Sequence, residues 1–117
     1  MLARANRVVR ADDFRMVVRR GRRSVTPSAV FYRVERDADE PLRFGIIVSR
    51  SVGNAVARNL VRRRYRALGR QFVEAGSRGN DVVVRALPGA AQVGWTTLAD
   101  DMHAALDPAL LRNTVMP

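Results

Sequence analysis

Three groups of side chains in this sequence could do chemistry. The first is His103 with Asp100 and Asp101. It is the only histidine, and two adjacent carboxylates on a helix point in different directions, so neither an acid–base couple nor a metal pair results. His103 is expected at the surface, and the two acids are expected to complement the first turn of a helix. The second group, Glu35, Asp37, Asp39 and Glu40, holds four of the eleven acids in a polar turn. There is no cysteine, so thiolate nucleophiles, thiolate metal sites and disulfides are excluded. No residue is therefore assigned a catalytic or metal-ligating role, and an autonomous nuclease, which needs clustered acids or a histidine pair, is disfavoured. The third group is arginine: the chain carries 21 basic residues, none of them Lys, and a net charge of +10. Arginine presents a planar fork of five donors that grips phosphate bidentately and stacks on bases. Such a balance points first to nucleic acid and second to an anionic membrane surface.

The densest basic stretch is NAVARNLVRRRYR, residues 54–66. Placed at 100° per residue, Ala57, Val61, Tyr65, Leu68 and Phe72 share an arc of roughly 80°, and Arg58, Asn59, Arg62, Arg63, Arg66 and Arg70 an arc of roughly 140° on the other side. Leu60 and Arg64 lie on the flank between them. The stretch is thus an amphipathic helix and not a disordered charge run. Its polar face is unbalanced: the i,i+4 pairs Arg58–Arg62, Arg62–Arg66 and Arg66–Arg70 repel, at about 0.2–0.5 kcal/mol each before screening. From Pro41 to Val73 there are eight arginines and no acid. A polyanion along the face would remove those costs, which favours phosphate binding over simple solvation. A membrane would need the apolar face free, whereas here it is committed to a core.

The elements that must position these groups follow from periodicity. ADDFRMVVRRG puts Phe14, Val17 and Val18 on one helical face, with Asp12 as N-cap and Gly21 as C′ stop. SVTPSAVFYRVE reads as one strand with an irregular or edge start at Pro27, Val30, Tyr32 and Val34 sharing one face and Phe31 and Arg33 the other. RFGIIVS is a second, buried strand, SRSVGN a turn, and Asn54 the cap of a helix from about Ala55 to about Ala75. The two glycines of GSRGN make a loop, DVVVRA is a short buried strand, and LPGAAQVG a connector. In the last helix Trp95, Leu98, Ala99, Met102, Ala105 and Leu106 share a face, and Thr97 with Asp100 resembles a capping box. The order α-β-β-α-β-α implies an α+β, two-layer sandwich on a small, mainly antiparallel sheet. At 117 residues and 47% apolar composition the chain suits a single domain, with residues 1–10 and 107–117 expected to be flexible until bound. No apolar run approaches the roughly 18–20 residues of a membrane span, and no h-region follows the basic start. The chain is expected to be cytoplasmic, with no membrane partner.

SVGNAVARNLVRRRYR resembles the signature segment of the protein subunit of bacterial ribonuclease P, the enzyme that removes 5′ leaders from precursor tRNA. The likeness covers nearly the whole chain in order: DFRMVVRRGRR is similar to that family's first helix, VFY to its first strand, FGIIVSRSVGNAVARN to the entry into the signature helix, and VVVRALPGAA to the last strand and its exit. In one place the pattern differs. The family's Arg-Asn-Arg has Leu60 here at its third position, with Arg64 as the candidate to replace that contact. Charge alone would equally allow a ribosomal-type or chaperone RNA-binding protein; the signature segment separates the readings.

The resemblance implies a fold like the ribosomal S5 domain 2, with a left-handed βαβ crossover. It also implies a ribonucleoprotein in which the RNA subunit performs the chemistry with Mg2+, none being bound by the protein alone, and one protein per RNA. Carried onto this sequence, the face for the catalytic RNA is Arg50, Asn54, Arg58, Asn59, Arg62, Arg63, Arg66 and Arg70. The cleft for the single-stranded leader of precursor tRNA is Phe14, Val18, Tyr32 and Ser49, with Arg58, Asn59 and Arg66. Relatives often carry a second aromatic where Val18 stands, so weaker stacking is expected here.

Overall fold

The computed structural model describes residues 2–106, so the expectation for residues 107–117 lies outside the described residues. In chain order it contains a short 3-10 helix Arg4–Asn6, α1 (Ala11–Arg20), β1 (Arg22–Val25), β2 (Ala29–Glu35), β3 (Arg43–Ile47), a 3-10 turn Arg50–Val52, α2 (Ala55–Glu74), β4 (Asn80–Ala86) and α3 (Trp95–Ala105). The four strands form one sheet in the order β1-β2-β4-β3. β1 and β4 flank β2 antiparallel, while β3 runs parallel to β4. The chain passes between those two parallel strands through α2, giving the expected βαβ unit.

Alternation in β2 sorts the core. Val30 and Tyr32 pack with Val17 of α1 and Val83, joined by Phe14, Met16, Val18, Val34 and Ile47. Ala29 and Phe31 face the other way, into a larger core with Phe44, Val82 and Val84 of the sheet, Val61, Tyr65, Leu68 and Phe72 of α2, and Leu98 and Met102 of α3. The α+β class holds, and the expected order gains one strand, β1, between α1 and β2. The helices divide between the two sheet faces, however, so the sandwich has three layers instead of two.

Several local expectations change. SVTPSAVFYRVE is not one strand but the end of β1, a turn and β2: Pro27 sits in the turn, Thr26 N–H donates to the Ala29 carbonyl at 2.9 Å and Ala29 N–H to Thr26 Oγ1 at 3.1 Å. RRSV is the added edge strand. Asp12 does not cap α1, which starts from Arg10; it lies with Asp13 in the first turn, where a negative charge suits the dipole. Gly21 does end α1, but at φ −71°, so no left-handed C′ residue is involved. Glycine is required there by crowding, since a Cβ would stand 2.4 Å from the Val17 carbonyl oxygen. α3 is capped by Gly94 without a side chain, so the Thr97–Asp100 box does not form. Asp100 and Asp101 consequently lie beyond its first turn; the Asp101 carboxylate instead accepts from Ser28 Oγ at 2.6 Å.

The start of the chain, expected to order only when bound, is packed on the fold. Leu2 and Val8 are buried, Val8 N–H donates to the Phe44 carbonyl at 2.8 Å, and Asn6 Nδ2 to the Leu42 carbonyl at 2.8 Å. At the opening of β4, Asp81 is buried and takes a bidentate pair from Arg43 at 2.8 and 2.7 Å, with Arg36 at 3.3 Å. Two guanidinium groups compensate a carboxylate that would otherwise be too costly to bury.

Candidate RNA interface

α2 starts as expected: Asn54 Oδ1 accepts from Ala57 N–H at 2.9 Å. Gly53 before it has φ 151°, and a Cβ there would sit 2.9 Å from the Ala57 methyl. Ser49, Arg50 and Asn54 are exposed along the loop, and the Ser49 and Ser51 hydroxyls are 2.7 Å apart. On the helix, Asn59, Arg63, Arg66 and Arg70 are exposed, while Arg58 and Arg62 are half-buried. Arg62 Nη1 donates to Asn59 Oδ1 at 3.1 Å, which aims both side chains along the same face. Val56, set on neither face by the wheel, is 77% exposed among the arginines. It joins Asn59, Arg62, Arg63 and Arg66 in lining a shallow basin of about 440 Å³.

Arg7 closes a second basin of about 390 Å³ with Arg63, Arg66 and Ala67. Sequence reasoning missed it, since nothing local places residue 7 beside α2. Its Nε and Nη2 both donate to the Leu2 carbonyl, at 2.9 and 2.8 Å, which holds the guanidinium in place. Leu60 is half-buried on the flank. Arg64, the candidate replacement for its contact, donates Nη1 to the Val93 carbonyl at 2.8 Å and so ties α2 to the loop before α3.

On the opposite sheet face, Phe14, Arg15, Val18, Arg19 and Ile47 line a groove of about 420 Å³ beside α1. Phe14 lies against Gly45, whose missing side chain makes room for the ring. Tyr32 is in the same cluster but is only 4% exposed. Arg85 covers it, with its guanidinium 5.5 Å from the ring centroid and Nη2 donating to the phenol oxygen. The ring is thus floor and not an open platform. Arg15, Arg19, Ile47 and Arg85 were not singled out from sequence. The alternation of DVVVRA contained the signal for Arg85, two residues on from Val83 and so on its face.

His103 is exposed and stacks on Phe72, with centroids 4.9 Å apart. Among the described residues no three His, Asp or Glu side chains gather to hold a metal ion, and no helix is long and apolar enough to cross a membrane.

Residues 2–110 match the family model described as Ribonuclease P. The chain is similar to the Ribonuclease P protein component of Clavibacter michiganensis, 46% identical over 110 residues that cover 94% of this chain and 97% of that one. It is also similar to the protein of that name from an Arthrobacter species, 47% identical over 112 residues, covering 96% and 82%. Among solved structures, the fold resembles Staphylococcus aureus RNase P protein, with a TM-score of 0.81 at 24% identity, covering 94% and 100%. For Thermotoga maritima RNase P protein the TM-score is 0.72 at 23% identity, covering 94% and 98%. The signature helix, despite Leu60, lies within a match that runs through every described element, and this chain belongs to the ribonuclease P protein family.

Proposed function

We propose that the chain is the protein subunit of a ribonuclease P ribonucleoprotein that removes the 5′ leader from precursor tRNA, one protein serving each catalytic RNA. The α2 face of Arg58, Asn59, Arg62, Arg63 and Arg66, with Arg50 and Asn54 before it and Arg7 beside it, holds the catalytic RNA. The groove of Phe14, Val18 and Ile47 holds the single-stranded leader, with Ser49 at the junction of the two surfaces. One observation carries the reading: the exposed arginine face of α2, where Arg63 and Arg66 meet no acidic partner among the described residues. Mg2+ belongs to the RNA in this proposal. The protein neutralises phosphates where leader and catalytic RNA meet, so substrate binds more tightly and less Mg2+ is needed.

The test adds the protein to transcribed ribonuclease P RNA and precursor tRNA at low Mg2+. Accurate 5′ cleavage should appear only with both components. Cleavage by protein alone would indicate a nuclease, and no stimulation would favour a ribosomal-type RNA-binding protein. Phe14→Ala, which removes the half-buried ring that lines the groove, should weaken leader-bearing precursor by about 1–3 kcal/mol, the worth of one stacked base. Mature tRNA should bind nearly unchanged; equal losses for both would sink the groove assignment. Tyr32→Ala is a poorer probe because the same change empties a buried site.

A further inference from the structure

The basic face of α2 is edged on one side by side chains that carry no charge. Counted at 100° per residue, Val56, Ala67 and Leu60 fall within about 40° of one another, immediately beside Arg63. From Val56 to Ala67 this strip runs about 16 Å along the helix. Arg64 continues the line of Val56 and Leu60, but its guanidinium is turned to the Val93 carbonyl at 2.8 Å. The strip is open: Val56 is 77% exposed and Leu60 half-buried, and neither belongs to either apolar core. Both basins on α2 combine the same two kinds of group. Val56 walls the one that holds Asn59, Arg62, Arg63 and Arg66, and Ala67 the one that Arg7 closes, with Arg63 and Arg66 common to both.

A phosphate gains nothing from such a strip. Pressed against valine and leucine it would lose water and receive no donor, which is costly for an anion. The part of an RNA that suits an apolar surface beside a guanidinium is the flat face of a nucleobase, which packs on the one and stacks on the other. Arg63 supplies the guanidinium, exposed and without an acidic partner among the described residues. Bases inside a continuous duplex cover one another's faces, so the base that reaches the strip is an unpaired one. We infer that Val56 and Leu60, with Arg63, form a contact for one unpaired nucleotide of the catalytic RNA. Its base lies on the two apolar side chains and against the Arg63 guanidinium, while Arg62 and Arg66 face the phosphates. This rests on the assignment of α2 to the catalytic RNA above and names what that RNA presents at the edge of the face. It also gives Leu60 a role: where the family signature has arginine, a base contact takes the place of a phosphate contact.

The test measures binding of the natural protein and its variants to transcribed ribonuclease P RNA at several salt concentrations, with 2′-hydroxyl acylation of the RNA read at each nucleotide. Val56→Ser and Leu60→Gln should each weaken binding several-fold with the salt slope unchanged, since a base contact releases no counterion. Arg66→Ala should instead flatten the log–log slope by about 0.7 to 0.9, for one lost phosphate contact. In the natural complex one unpaired nucleotide should become resistant to acylation, and with saturating Val56→Ser that nucleotide alone should react again. Val56 is too exposed for its replacement to disturb the fold, and urea unfolding of Leu60→Gln checks that this variant is folded where it is measured. Natural affinity in Val56→Ser, a loss accompanied by a shallower slope, or an acylation pattern that Val56→Ser leaves unchanged would each overturn the contact. Failure of the α2 assignment itself reads differently: Arg66→Ala would then bind the RNA as the natural protein does, with the same slope.

Discussion

Arg66 and Arg70 stand one turn apart on α2, both exposed, and Glu74 accepts from Arg70 Nε at 3.1 Å while Arg66 has no acidic partner among the described residues. An RNA phosphate must compete with Glu74 for one guanidinium and finds the other free. Arg66→Ala should therefore weaken binding of the catalytic RNA several-fold and flatten its salt dependence by about one contact, a log–log slope change between 0.7 and 0.9. Arg70→Ala should do measurably less of both. Titrations of RNA with each variant at several salt concentrations check this, and equal effects would show that Glu74 does not hold Arg70 back. The helical wheel set the two arginines on one arc and could go no further, because their difference lies in partners and not in angle. Arg64 is a longer-range case: its bond to the Val93 carbonyl spans 29 residues, and no local pattern reports it.

At the scale of elements, α1 shapes the groove only because β3 has a glycine beneath it. A Cβ on Gly45 would come within 2.4 Å of Phe14 Cε1 and 2.7 Å of Cζ. Gly45→Ala should push the ring off the sheet, costing about 1–3 kcal/mol by overpacking, and should weaken leader-bearing precursor while sparing mature tRNA. Urea unfolding and the two binding measurements, made on the same variant, check both halves. α2, β3 and β4 were legible in sequence because each shows a clear apolar period bounded by glycine, asparagine or a polar turn. α2 ends at Glu74, one residue from the expected end. β1 was not legible, since RRSV has no apolar alternation and forms only by pairing with β2 across the Pro27 turn. Nor was the tilt of Phe14 into Gly45, because a glycine in a strand signals close approach without naming what approaches.

Across the whole molecule, the three layers are joined by a few buried polar groups as well as by apolar packing. Asp81 acts through Arg43 of β3, whose Nη2 also lies 3.9 Å from Asp13 of α1, and the Asp81 hydrogen bond is the first cause that holds the Arg43 guanidinium above its ordinary pKa. Tyr65 is another. Its ring sits on α2, edge-on to Phe31 of β2 with centroids 6.4 Å apart, and its hydroxyl lies by Ser28 and Asp101, where the hairpin meets α3. Burial pushes the phenol above its usual value; the Ser28 hydroxyl offsets part of this and the Asp101 charge adds to it. In the unfolded chain the phenol ionises near pH 10, while in the folded protein it remains neutral beyond that. The unfolded state then binds fewer protons than the native one, so stability is fully present below about pH 10 and falls as pH rises through that value toward the native pKa. Tyr65→Phe removes the titrating group from both states. At pH 8 the variant should match the natural protein or exceed it by up to about 1–3 kcal/mol, because it removes a buried hydroxyl that has no hydrogen-bond partner among the described residues. Between pH 9.5 and about 11 it should gain steadily on it, because only the natural protein must keep a neutral phenol buried. Urea unfolding across that range gives the answer, and parallel curves would mean that Tyr65 does not couple the layers to pH.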